Sequence, residues 1–171
     1  MSQEERYRLR SGLTIVTEQS QQLEQLLAQL QQKVPANFVI LVDVTGQVVT
    51  VKGDVGKTNL VMLGSLVAGD LAASQEIARL TGEYQDFQIV LREGQESHIF
   101  IAEAGQHMAM LIQVSNEVPL GWARMLIRHI GQEIAQVLAV QPLQEPSWDV
   151  AEADDDLSDL FADALDDVWL E

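Results

Sequence analysis

The sequence predicts a three-layer α/β sandwich in which helices cover both faces of a five-stranded antiparallel sheet. Helical and strand patterns follow one another in the order αββαβββα over roughly 120 residues. Neighbouring strands are joined by short segments of turn-forming residues, as in hairpins, so the sheet is expected to be antiparallel. The central helix lacks a polar face, which indicates that it is covered on two sides.

The first helix and the first hairpin are predicted in the N-terminal third of the chain. Leucines recur at helical spacing within 17–33, glutamines occupy the other side, and Pro35 follows the end of the helix. The run at 38–43 is almost continuously apolar and rich in β-branched residues, which is typical of a strand covered on both faces. Residues 44–47 supply a turn, and the second strand returns at 48–51.

The central helix is predicted over 59–80, with Thr58 or Asn59 as its N-cap. Asp70 is the only charged residue between positions 60 and 74. Two apolar stripes run along different sides of the helix, one formed by Leu60, Leu63, Val67 and Leu71 and the other by Met62, Leu66, Gly69 and Ala73. One stripe can pack on the chain's own sheet, and the other needs a second surface, or cover, to bury it.

Small residues indicate what the second cover is. Gly64, Ala68 and Ala72 recur at intervals of four, and such residues let a second helix backbone approach closely. We therefore predict a helix–helix contact with a second chain. The alternative is a central helix wrapped by its own domain.

Three strands and a helix complete the predicted domain, which extends over 17–138. The strands lie at 87–92, 98–103 and 108–114, separated by short polar turns. The last helix is predicted over 118–138, with a polar cap just before it.

The last helix also carries the one basic ridge of the predicted domain. Arg124 and Arg128 are one turn apart, and we assign them as candidate partner-binding residues. The alternative is a solvated face without a partner. Asp70, a lone carboxylate in an apolar helix, needs an ion partner or a place at an interface, and contact with a partner protein is the second possibility.

Composition narrows the classes of function. The 171 residues carry a net charge of −16 and include no cysteine, which excludes disulfides and thiolate catalysis. Nucleic acid is not expected as a partner, because only Arg6, Arg8 and Arg10 form a basic cluster, in an extension (1–16) expected to be mobile. No signal peptide and no apolar run of about 18 residues is evident, so we expect a cytoplasmic protein without a membrane span.

No catalytic, cofactor or metal site is predicted. Gly56-Lys57-Thr58 ends like a phosphate-binding loop, but valine stands where that motif needs its first glycine. The histidines, at positions 98, 107 and 129, form no pair at metal spacing.

The element order and four segments resemble the roadblock/LC7 family, specifically its bacterial members that regulate a small Ras-like GTPase in cell polarity and gliding motility. The segments are 41–46, Gly53-Asp54, 66–73 and 77–83, and the resemblance extends from about Glu18 to Leu138. It implies a homodimer with paired central helices and a shared edge strand. The implied interface residues are Gly64, Ala68, Gly69, Ala72, Phe87, Ile89 and Leu91.

The implied function is that of a homodimeric GTPase regulator, acting on hydrolysis or exchange, with no catalytic residue of its own. Arg79 or Arg92 acting as an arginine finger in trans is a weaker possibility. The alternative from another class is a scaffold dimer that recruits proteins without changing GTP turnover. A ligand-sensing α/β domain is a third, weaker alternative.

The C-terminal region departs from the family pattern. A proline-bearing linker is predicted at 139–148, followed by 149–171, which holds ten acidic residues and no basic one. Apolar residues recur there at helical spacing, so we predict a segment that becomes helical on docking, through Leu157, Phe161, Leu165 and Trp169. The groove that receives this segment is expected on another protein or beside Arg124 and Arg128 of the same dimer. The alternative is a tail that only increases solubility.

Overall fold

The computed structural model describes residues 6–84 and 87–140, and its helices and strands follow the predicted order after an additional short hairpin. The elements are β1 (Arg6–Arg8), β2 (Thr14–Val16), α1 (Thr17–Lys33), β3 (Ala36–Asp43), β4 (Val48–Gly53), α2 (Leu60–Thr81), β5 (Ile89–Glu93), β6 (Ser97–Glu103), β7 (Met108–Ser115) and α3 (Leu120–Ala139).

The five longer strands form one antiparallel sheet in the order β4-β3-β7-β6-β5. Strands β4 and β5 are therefore its two edges. Helices α1 and α3 pack on one face of the sheet and α2 on the other. The predicted three-layer sandwich with a five-stranded antiparallel sheet is confirmed.

Strand β3 is apolar on both faces because both faces are covered. Val39 and Leu41 belong to the larger core cluster with α1 and α3, whereas Ile40 and Val42 belong to the cluster beneath α2. All four side chains are buried. Alternation of side chains across a strand thus supplies both cores from one continuous apolar run.

The N-terminal residues correct one expectation. Residues 6–16, expected to belong to a mobile extension, form a hairpin of β1 and β2, and Leu9, Leu13 and Ile15 are buried in the larger core. The strands have only three residues each, too few to give a clear alternation in the sequence. Residues 1–5 lie outside the described part of the chain.

A glutamine joins the first and last helices. The Gln19 side chain accepts a hydrogen bond from the Val16 backbone N–H at 3.1 Å. Its amide nitrogen donates to the carbonyl oxygens of Val137 (2.9 Å) and Val140 (2.8 Å) at the end of α3. The buried amide therefore satisfies backbone groups at both helix termini that would otherwise lack a partner.

Asp43 organises the turn between β3 and β4. Its buried carboxylate accepts hydrogen bonds from the Thr45 hydroxyl (2.7 Å) and from the backbone N–H groups of Thr45 (3.0 Å), Gln47 (2.9 Å) and Ser11 (3.2 Å). Burial alone raises the pKa of Asp43, but these hydrogen bonds together outweigh it and hold the pKa below its ordinary value of 3.8.

The same turn lies directly against α2. A Cβ atom on Gly46 would meet the Ser65 Cα atom at 2.6 Å, and Gly46 has a φ of +89°, a conformation that favours glycine. A Cβ atom on Gly64 would overlap the Gly46 carbonyl oxygen. Two glycines are therefore needed where the turn and the helix touch.

We expect Gly64→Ala to lower the free energy of unfolding by about 1–3 kcal/mol, because the added methyl group forces α2 away from the turn. Gly121→Ala in α3 is the control, since a Cβ atom there meets nothing within 4 Å. Urea unfolding of both variants measures the difference. Equal stabilities of the two variants would contradict the close contact.

We expect Asp43→Asn to lower the free energy of unfolding at neutral pH by about 1–3 kcal/mol. Because the folded-state pKa is lowered, the contribution of the carboxylate is complete above the ordinary value of 3.8 and is lost as pH falls through the folded-state pKa. Urea titrations from neutral to acid pH should show the difference between wild type and variant shrinking in acid. Asp54→Asn, at an exposed turn carboxylate, is the control; a difference independent of pH would contradict the assignment.

Candidate interaction surface

Helix α2 exposes large apolar side chains on the side that faces away from the sheet. The exposed fractions are 61% for Met62, 62% for Leu66, 62% for Ile77 and 79% for Leu80. Together with Gly69 and Ala73, these residues form a stripe at helical spacing that we call the outer face of α2. The other predicted stripe faces the sheet, where Val67 and Leu71 are buried.

The outer face has small residues at its centre and large ones at both ends. Gly69 and Ala73 are exposed, and a Cβ atom on Gly69 would meet nothing within 4 Å. The midpoint between Leu66 and Ile77 falls between Leu71 and Ala72, and the midpoint between Met62 and Leu80 falls at Leu71. An antiparallel second copy of the helix would therefore set large residues against large ones and small against small.

The row of small residues used in the sequence prediction does not lie on one face. Gly64 is buried against Gly46 of the same chain, Ala68 is half-buried and Ala72 is exposed. Residues four apart advance by about 40° around a helix, so the row turns from the inside to the outside. The predicted interface role of Gly64 is therefore wrong, because Gly64 packs within its own chain. Gly69 and Ala72 remain candidate interface residues.

Asp70 lies beside the outer face and has a partner within the chain. The Arg92 guanidinium on β5 donates to Asp70 Oδ1 at 2.9 Å. Oδ2 is buried and has no hydrogen-bond partner among the described residues. The structural pairing considered for Asp70 is thus present, and it joins the centre of α2 to the edge strand.

Strand β5 is an edge, as the sequence prediction requires, but its apolar side chains serve the chain's own core. Ile89 and Leu91 are half-buried and pack against the larger core cluster, as does Phe87, which precedes the strand. The interface role of Phe87, Ile89 and Leu91 stays a prediction, in which β5 offers a second chain its outer backbone edge.

Arg79 is engaged locally. Its guanidinium forms a 3.2 Å ion pair with Glu76 and lies 5.0 Å from the centroid of the Tyr84 ring. Nearby, the buried carboxylate of Glu103 accepts a hydrogen bond from the Gln75 amide. These contacts hold the C-terminal half of α2 on the sheet and occupy Arg79, one of the two arginines considered as a finger.

Arg124 and Arg128 are exposed on α3, on the opposite face of the sheet from α2. They line a groove with Glu83, Phe87, Ile89 and Met125, which we call the α3 groove. The sequence revealed the two arginines but not the groove, because Phe87 and Met125 reach it from separate elements.

Other expectations concern different parts of the chain. Leu157, Phe161, Leu165 and Trp169, with the linker residues 141–148, lie outside the described residues. Within 6–84 and 87–140, no three histidine, aspartate or glutamate side chains lie close enough to hold a metal ion. Helix α2 is long and apolar enough to cross a membrane by length and composition alone. Its packing on the sheet and its Asp70–Arg92 ion pair place it in the folded sandwich instead.

The sandwich and the outer face of α2 define an α/β domain with an exposed apolar helix face. The sequence matches the Roadblock/LC7 domain profile over residues 22–114. The chain belongs to the Roadblock/LC7 family, and the resemblance noted in the sequence is confirmed.

Solved structures of similar fold include bacterial gliding-motility proteins. Myxococcus xanthus MglB is 25% identical, with a TM-score of 0.65, and the match covers 70% of this chain and 97% of that one. The gliding protein MglB from Thermus thermophilus is 24% identical, with a TM-score of 0.65 and coverages of 73% and 94%. A Roadblock/LC7 domain from Streptomyces avermitilis is 18% identical, with a TM-score of 0.60 and coverages of 67% and 96%. No curated protein sequence matches the chain.

Proposed function

We propose that this protein is a cytoplasmic homodimeric regulator of a small Ras-like GTPase in cell polarity or motility. The observation that carries the proposal is the exposed apolar outer face of α2 beside the unpaired edge of β5, in a chain of the Roadblock/LC7 family. Similarity to MglB, described as a gliding protein, supports the link to motility. Family members are generally non-catalytic regulators or adaptors.

The dimer would use the outer face of α2. Leaving a Leu or Ile side chain in water forgoes about 1.5–3 kcal/mol relative to burial, and contiguous apolar patches on soluble proteins mark interaction sites. An antiparallel second copy would cover Leu66 with Ile77 of its partner around the small central residues. Strand β5 would then meet its counterpart edge to edge and extend the sheet.

The chain would act on its GTPase by repositioning the GTPase's own residues rather than by supplying a catalytic group. Arg92 is paired with Asp70 and Arg79 with Glu76, so each guanidinium already has a carboxylate partner. The dimer would place the paired α2 helices at the centre of the GTPase-facing surface, with Asp70 at its border. The C-terminal residues Leu157, Phe161, Leu165 and Trp169 would provide a further protein contact.

A scaffold is the second candidate function. The exposed Trp122 and Met125 on α3 favour it, because they give the domain an additional apolar surface on the other side of the sheet. A dimer with two such surfaces can join proteins without changing GTP turnover.

We expect Leu66→Glu to weaken dimerisation by about a hundredfold or more, because it buries an unpaired carboxylate in the contact. Val140→Glu is the control, since Val140 is 74% exposed and lies outside α2. Sedimentation equilibrium gives the dissociation constants, and circular dichroism checks that both variants fold. A dimer of unchanged affinity in the Leu66→Glu variant would remove the outer face of α2 from the interface.

We expect the protein to bind no GTP and to accelerate hydrolysis by its cognate GTPase by about tenfold or more, equivalent to roughly 1.4 kcal/mol of barrier. Multiple-turnover assays with candidate Ras-like GTPases measure the rate. Arg79→Ala should keep the acceleration and Leu66→Glu should lose it. Binding of the GTPase without any change in hydrolysis or exchange would favour the scaffold.

A further inference from the structure

The α3 groove has both apolar and cationic side chains in its lining, and we call Phe87, Ile89 and Met125 its floor and Arg124 and Arg128 its rim. Its volume is about 490 Å³. Phe87 and Ile89 line it from the side of the sheet, and Met125, 54% exposed, lines it from α3. Arg124 and Arg128 are neighbours on the same helix and belong to the lining, in which Glu83 is the acidic residue.

The shape of the groove depends on close packing beneath it. A Cβ atom on Gly131 would meet the Phe87 ring at 2.8 Å and the Glu103 carbonyl oxygen at 2.8 Å. Helix α3 can therefore approach the sheet only because this residue is glycine. The Phe87 ring is fixed between α3 and the strand, and the Arg128 guanidinium lies 5.5 Å from its centroid. The floor and one side of the rim are thus held in place by contacts within the domain.

The positive charges of the rim are available to a ligand. Neither Arg124 nor Arg128 forms a salt bridge with any residue in the described ranges, and both side chains are exposed. The contact of Arg128 with Phe87 leaves its guanidinium edge free to donate to a carboxylate. The complementary ligand is an apolar helix face bordered by acidic residues.

We propose that the α3 groove binds the acidic segment 149–171 of a second copy of this chain. That segment carries ten acidic residues and no basic one, and its apolar residues recur at helical spacing around Phe161. Each copy contributes one groove and one segment, so the two are always present in equal numbers. The groove lies on the opposite face of the sheet from α2, so its occupation leaves the outer face of α2 open.

Charge and apolar contact have separate roles in this binding. The opposite charges raise the rate of encounter and make the contact weaker at high salt. Burial of Leu157, Phe161 and Leu165 against Phe87 and Met125 supplies the affinity. Neutralising either component should weaken the contact, and only the charge component should respond to salt.

A complementation experiment with full-length chains tests the proposal. The chain has no cysteine, so a donor dye can be placed at Ser158→Cys on one copy and an acceptor at Gln132→Cys on α3 of another. Two variants remove one component each: Arg124→Glu with Arg128→Glu in the groove, and Leu157→Ser with Phe161→Ser and Leu165→Ser in the segment. Arg8→Glu is the control for altered surface charge, since Arg8 is an exposed arginine far along the chain from the groove.

We expect energy transfer between copies of the unmodified chain, with an association constant about tenfold lower in either variant alone and unchanged in the control. Mixing the donor-labelled groove variant with the acceptor-labelled segment variant should restore transfer, since one copy still offers a segment and the other a groove. Reversing segment charges with Asp159→Arg and Asp163→Arg should rescue the groove variant.

Two outcomes would overturn the proposal. Transfer that survives only when both dyes are on one copy, in an excess of unlabelled chains, would assign the groove to a segment of the same copy. Transfer insensitive to the groove variant would leave 149–171 for another protein or for solubility. The GTPase is absent from the assay, so neither outcome bears on the proposed regulatory function.

Discussion

The contact between Gly46 and Gly64 sets the distance between α2 and the sheet, and the exposure of the outer face of α2 follows from it. The turn that carries Gly46 is held by the Asp43 carboxylate, which also bonds the backbone of the N-terminal hairpin through Ser11. One buried carboxylate thus connects both sides of the sheet. Because the helix lies so close to the turn, Val67 and Leu71 complete the small core beneath it.

Helix α2 packs on the sheet with one side, and no other element of the described ranges packs against its outer face. The sandwich has three layers, and nothing in the described ranges lies beyond α2. The large exposed residues at the two ends of the outer face therefore pack against nothing within the described ranges, as is typical of a surface that another protein covers. The Asp70–Arg92 ion pair beside the face is internally neutral, so it adds no net repulsion when two copies meet.

Most of the fold follows from patterns that act over short stretches. The stripe of Val67 and Leu71 and the apolar run of β3 are regular and long, so element type and layer order could be predicted from them. The β1–β2 hairpin could not, because three-residue strands carry almost no period. The pairing of His98 with Val114 depends on the length of the turn before Met108. The outer face of α2 could be predicted because one helix supplies all its residues. The α3 groove could not, because its residues come from several elements. The role of Gly64 was hidden, because spacing alone does not distinguish a glycine that admits another chain from one that admits the chain's own turn.

The two surfaces differ in chemistry in a way that suits different partners. A two-fold contact between identical copies sets the same surface patch against itself, so an interface with net charge would repel itself. The outer face of α2 satisfies this condition because its central residues are uncharged, and the neighbouring ion pair cancels. The α3 groove does not satisfy it, since two copies of Arg124 and Arg128 facing each other would repel. A cationic groove of this kind needs an acidic ligand, and ten of the chain's 26 acidic residues lie in the segment 149–171. The symmetric contact and the charged contact are therefore assigned to opposite faces of one sheet, where each can form without excluding the other.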